Sequence, residues 1–144
     1  MKSVLIIFSL FLLATTFSSM APLEADQICG KWLNEEKSSQ IEIFEKAGKY
    51  YGKVVWIKEP NGPEGKPKKD INNPDESLRD RPILGLVIIS DLSFEDGKWI
   101  DGKIYAPGAG QTADCSIELN QKGELELSVS KSFFSKTKVW TRLK

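Results

Sequence analysis

The residues best equipped for chemistry crowd into one stretch. Between positions 66 and 85 the chain reads KPKKDINNPDESLRDRPILG, so Asp70, Asp75, Glu76 and Asp80 share it with Lys69, Arg79 and Arg81. Paired carboxylates can act as general acid and base in glycoside hydrolysis, and carboxylate and amide oxygens suit hard cations such as calcium. The spacing does not fit an EF-hand calcium loop. Counted from Asp70, an EF-hand loop would place Pro74 fifth, Asp75 where Gly is required and Arg81 in place of the terminal Glu. Basic side chains next to these acids point instead to ion pairing, with Asp70 held by Arg79 or Arg81 and the loop anchored to the rest of the domain. The expectation is no metal, no cofactor and no catalytic residue.

Other reactive groups are scarce. The chain has no histidine, which excludes Ser-His-Asp and Cys-His catalysis and the His-rich zinc sites. Ser128 and Lys131 match a bare Ser-x-x-Lys, but on a strand that spacing puts the two on opposite faces. Twenty basic residues balance twenty acidic ones, and the densest basic run, Lys66, Lys68 and Lys69, is followed at once by acids. A phosphate backbone needs a basic excess, so nucleic acid is not expected as a partner. Cys29 and Cys115 remain. In an oxidising compartment two cysteines invite one bridge, which over so long a loop would stabilise by roughly 4 to 5 kcal/mol on the chain-entropy model; two separate buried thiols are the alternative.

The elements that position these residues read mainly as strands. Asn73 has the form of an N-cap, Pro74 of a first helical residue and Glu76 of a capping-box acid, which predicts a short helix over 74–80. Pro82 ends it and turns the chain into the apolar run 83–89, whose two apolar faces require a cover on the outside. Before this stretch, 30–33, 40–44 and 50–58 have strand character, with Gly52 marking a bend or a close approach. After it, 99–105 continues the pattern. Cys115, Ile117 and Leu119, then Leu125, Leu127 and Val129, alternate with polar residues about a turn at 121–123, and a last strand runs over 136–143. Seven or eight strands joined by mostly short turns predict an antiparallel up-and-down barrel or a compact sandwich, with one helix-bearing loop at 59–80. That loop, with four prolines and two glycines, is where a site is expected.

The order Lys69-Asp70, Asn73-Pro74, Leu78-Arg79, Arg81-Pro82, Leu84-Gly85 resembles the signature of the bacterial family called domain of unknown function 2147. Gly30-x-Trp32, Tyr51-Gly52-Lys53-Val54-Val55-Trp56, Gly102-Lys103-Ile104-Tyr105-x-Pro107 and Thr137-x-x-Trp140-Thr141-Arg142 match its pattern too. The resemblance spans almost the whole chain after its first segment and implies a small secreted domain with a lipocalin-like barrel. Gly30-x-Trp32 and Arg142 are similar to the lipocalin pair in which a tryptophan on the first strand packs under an arginine from the last. Such stacking contributes about 0.5 to 2 kcal/mol.

Residues 1–25 read as a signal peptide: Lys2 supplies the charged start, and 4–17 is apolar but shorter than the roughly 20 residues of a membrane span. A cut after Ala21 has the small-residue form in Ser19-Met20-Ala21 but leaves Pro22 first; a cut after Ala25 has Leu23 at the minus-three position but leaves the tidier start, and is favoured. The expectation is one barrel domain over 26–144, periplasmic or secreted, monomeric or homodimeric, with no membrane segment after cleavage. The favoured role is binding a small apolar or amphipathic ligand, with Tyr50, Tyr51, Trp56, Trp99 and Tyr105 lining or rimming the cavity. An interaction module of the cell envelope with a filled barrel is the alternative, and an enzyme built on Asp70, Arg79 and Arg81 stands third.

Overall fold

The computed structural model describes residues 24–144. Eight strands follow one another as β1 (Gly30–Leu33), β2 (Ser39–Lys46), β3 (Lys49–Ile57), β4 (Val87–Glu95), β5 (Lys98–Ala106), β6 (Gln111–Leu119), β7 (Leu125–Lys131) and β8 (Phe134–Arg142). Each pairs antiparallel with the next, and β8 returns to β1 through Trp32 opposite Arg142 and Leu33 opposite Thr141, so the sheet closes into an up-and-down barrel without a free edge.

Alternation along the strands decides which side chains fill the barrel. On β6 Cys115 and Ile117 are buried between more exposed Asp114, Ser116 and Glu118; on β7 Leu125 and Leu127 do the same between polar neighbours. The two strands are in register from Asp114 opposite Ser130 to Leu119 opposite Leu125. Their turn is set by Asn120, whose side-chain oxygen accepts from the amides of Lys122 and Glu124. Gly52 lies where the β3–β4 register shifts on both sides, and a Cβ there would stand 3.1 Å from Ile41 Cγ2 and 3.2 Å from Ile89 Cβ. The close approach read from the sequence is thus one in which β3 is drawn against its neighbours.

Because the strands alternate in direction, turns after even-numbered strands lie at one end of the barrel and those after odd-numbered strands at the other. The first end is closed. There a 3-10 turn, Ala25–Ile28, crosses the barrel floor. Trp32, fully buried, donates its indole N–H to the Ile28 carbonyl at 2.8 Å, and the Arg142 guanidinium lies 4.2 Å from the Trp32 ring while donating to the carbonyls of Gln27 and Cys29. Gly30 takes φ +129°, and a side chain there would meet Arg142 Nη1 at 3.1 Å. Trp140 is buried on β8, opposite Leu125. The second end carries the long loop 58–86 and is the mouth.

Three expectations change. The helix is a single 3-10 turn, Glu76–Leu78, capped by Asp75 rather than Asn73: the Asn73 oxygen accepts from the Asp75 amide at 2.8 Å and its amide is used elsewhere, which delays the start by two residues. The apolar run 83–89 is not one strand. Leu86 donates to the Ile83 carbonyl and Gly85 adopts φ +88°, so a turn intervenes and β4 begins at Val87. Cys29 and Cys115 are free thiols, not a bridge; one precedes β1 and the other points inward from β6, with β7 and β8 between them along the sheet. Burial pushes the Cys115 thiol up to about 12. We therefore expect thiol titration of unreduced, denatured protein to count two thiols per chain, and the folded protein at pH 8 to react slowly at Cys115, whose thiolate fraction is then roughly one in ten thousand. A count of zero after denaturation would establish the bridge.

Candidate functional site

Loop 58–86 is held by a clasp built on one carboxylate. Asp70 is fully buried. Its Oδ2 accepts from Arg81 Nε and Nη2, each at 2.9 Å, and from Asn73 Nδ2 at 2.8 Å; its Oδ1 accepts from the Tyr105 hydroxyl of β5 at 2.5 Å. Burial pushes this carboxyl up, but the bonds from Tyr105, Asn73 and Arg81 outweigh it and hold the group below its ordinary value. The backbone repeats the closure, since the Asp70 amide donates to the Arg81 carbonyl and Lys69 bridges to Pro82. Arg79, the other arginine named for Asp70, instead donates to the Asn73 carbonyl at 2.7 Å. Pro74 is exposed between these anchors. Gly85 donates to the Val54 carbonyl and fastens the end of the loop to β3.

A second contact ties the loop to the β5–β6 turn. Asn72 donates from Nδ2 to the carbonyls of Pro107, at 3.3 Å, and Gly108, at 3.1 Å. Loop, turn and barrel mouth together enclose an open cavity of about 1080 Å³. Val54, Ile57, Ile83 and Ile88 give it an apolar wall, while Lys58 and Lys68 stand at its rim. Lys66 and Lys69, also at the rim, pair with Glu64 and Asp80 at 3.8 and 3.5 Å. The volume is of the scale of small-molecule sites, and an apolar wall with a few polar groups is their usual lining.

Residues 30–142 match the family described as "Uncharacterized protein conserved in bacteria", DUF2147. The chain belongs to that family. Among solved structures it is similar to a Helicobacter pylori protein described as belonging to the lipocalin family, HP1028, with 32% identity and a TM-score of 0.73 over 81% of this chain and 83% of that one. No curated protein matches it. The eight-stranded barrel of this DUF2147 member is thus lipocalin-like in fold, and its Trp32–Arg142 stack sits at the closed end.

The five aromatic residues expected around the ligand do not line the DUF2147 cavity. Tyr50 and Trp99 are buried at the closed end, where the Tyr50 hydroxyl donates to Asp26 at 2.6 Å and the Trp99 indole to the Ala25 carbonyl at 2.9 Å. Tyr51 faces outward, stacked on Phe44 with its hydroxyl on Asp91. Trp56 is 39% exposed on the outer wall, and Tyr105 belongs to the Asp70 clasp. Tyr50, Tyr51, Trp99 and Tyr105 each have a polar partner that strand spacing does not reveal, and Trp56 is left exposed. The cavity residues missed are Val54, Ile57, Ile83 and Ile88; for Ile83 and Ile88 the signal was the run 83–89, apolar on both faces.

Proposed function

We propose that this protein is a non-enzymatic, exported binding barrel that takes a small apolar or amphipathic ligand at its mouth. The observation that carries this reading is the cavity of about 1080 Å³ walled by Val54, Ile57, Ile83 and Ile88 beneath the clasped loop. The lipocalin-like fold supports it by analogy. The clasp argues against an acid-base role for Asp70, because four donor contacts already occupy both of its oxygens.

Export follows from the signal-like first segment, which lies almost wholly outside the described residues. The floor turn bears on where that segment ends. A cut after Ala25 would remove the residue whose carbonyl accepts from buried Trp99, and an orphaned indole N–H costs about 1 to 3 kcal/mol. The floor therefore supports the cut after Ala21.

The test is native against denaturing mass spectrometry of protein purified from a bacterial periplasm, followed by titration with N-phenyl-1-naphthylamine, a neutral apolar fluorophore. A bound mass lost on denaturation, and saturable one-to-one dye binding, are expected. Ile57→Arg should weaken dye binding by about tenfold or more, since it places a charge in the apolar wall. A clean apo mass with no saturable dye binding sinks the proposal. The same spectra give the cleaved start.

A further inference from the structure

The β7–β8 turn makes a residue choice that folding does not explain. Lys131 pairs with Phe134, leaving Ser132 and Phe133 as a two-residue turn. Such turns favour Gly, Asn or Asp, because a central residue must take positive φ. Here Ser132 adopts φ +52°, a strained value for a serine, and Phe133 projects fully into solvent with Phe134 61% exposed beside it. A position that departs from turn chemistry to display two phenylalanines is a candidate contact site.

Its surroundings name the partner. After Glu126 neither β7 nor β8 carries an acidic residue, and Lys131, Lys136 and Lys138 stand on the half of these strands nearest the tip. Lys131 and Lys136, which flank the phenylalanines, pair with no carboxylate among the described residues, whereas Lys138 pairs with Glu36. Apolar side chains at a tip, ringed by unpaired lysines, suit an anionic bilayer surface, where aromatic rings enter the headgroup region and lysines meet phosphate. The tip follows an odd-numbered strand, so it lies at the mouth end. The large hydrophobic side chains that the fold leaves exposed among the described residues gather at that end as well, including Trp56, Ile71, Leu84 and Val87. Among the described residues the closed end shows none.

We propose that the mouth end docks on anionic phospholipid surfaces, with Phe133 and Phe134 as the inserted wedge and Lys131 and Lys136 as the electrostatic contact. Docking turns the cavity toward the bilayer. It is independent of whether the cavity holds a ligand, because the test reads binding to lipid alone.

The purified processed protein is sedimented with vesicles of phosphatidylcholine containing 30% phosphatidylglycerol, and with phosphatidylcholine alone. Binding to the anionic vesicles is expected, weaker in neutral ones and weakened by added salt. Phe133→Ser/Phe134→Ser should lower it about tenfold or more with an unchanged melting temperature, since neither side chain is buried. Lys131→Glu/Lys136→Glu should abolish the preference for anionic vesicles, and serves as the second variant if the first misfolds. No binding to anionic vesicles, or equal binding by wild type and the phenylalanine variant, overturns the proposal. So does wild-type self-association, lost in that variant, without vesicle binding, which would make a second copy of the chain the occupant.

Discussion

Asp70→Ala is expected to release loop 58–86 and lower stability by about 3 kcal/mol, read as a fall in the urea midpoint with unchanged slope. The loss has two parts. Arg81 would keep its charge without a partner, but its side chain is 36% exposed and water recovers some of that. Asn73 is buried, so its amide would be left without an acceptor, and the Tyr105 hydroxyl would lose its bond to the loop. Asp70→Asn separates shape from charge. Its oxygen can face Arg81 and Asn73 while its amide meets the Tyr105 hydroxyl, so most bonds survive and the cost should be clearly smaller than for alanine. Equal losses in the two variants would mean that the charge, not the bonding pattern, holds the clasp.

The same carboxylate gives the acid limb of stability its sign. Its pKa is lower folded than unfolded, so its contribution is complete above the unfolded value of about 3.9 and is lost as pH falls through the folded one. Wild type should therefore lose stability between pH 5 and pH 2 more steeply than Asp70→Asn. Coincident acid limbs for the two proteins would refute the assignment.

How much of this was legible in the sequence follows from how local each signal is. The β6–β7 hairpin was readable because alternation at Cys115, Ile117, Leu125 and Leu127 reports one buried face, and that periodicity belongs to the strand itself. The Trp32–Arg142 pairing was readable only through a resemblance, since nothing local in β1 announces that β8 will close on it. The clasp was half legible: acids and arginines in one loop imply pairing, but which arginine reaches Asp70 depends on a backbone turn, and the Tyr105 contact comes from a strand 35 residues away. The aromatic residues misled for the same reason. A tyrosine facing inward at strand spacing looks alike whether it lines a cavity or, like Tyr50, bonds to a floor residue such as Asp26. The run 83–89 looked like a strand because its composition is apolar, yet one glycine at φ +88° divides it into a cavity wall and a strand.

Gly110→Ala is expected to be nearly as damaging, by about 2 to 4 kcal/mol, for a reason outside the clasp. Gly110 takes φ +61°, and a Cβ built on it would lie 1.9 Å from the Asn72 carbonyl oxygen and 2.8 Å from its carbon. The obstacle is backbone, so no side-chain rotation relieves it. Either the β5–β6 turn lifts off Asn72, breaking the bonds to the Pro107 and Gly108 carbonyls, or residues 70–73 shift and strain the Asp70 bonds. Both routes open the cavity, because Asn72, Pro107 and Gly108 are part of its lining. The variant should thus lose stability and bind N-phenyl-1-naphthylamine more weakly. Gly108→Ala is the matched control: a Cβ there meets nothing within 4 Å, and its cost should stay within about 0.5 kcal/mol. If the two alanine variants were equally stable, the turn could not be seated on Asn72, and the roof of the cavity would rest on the Asp70 clasp alone.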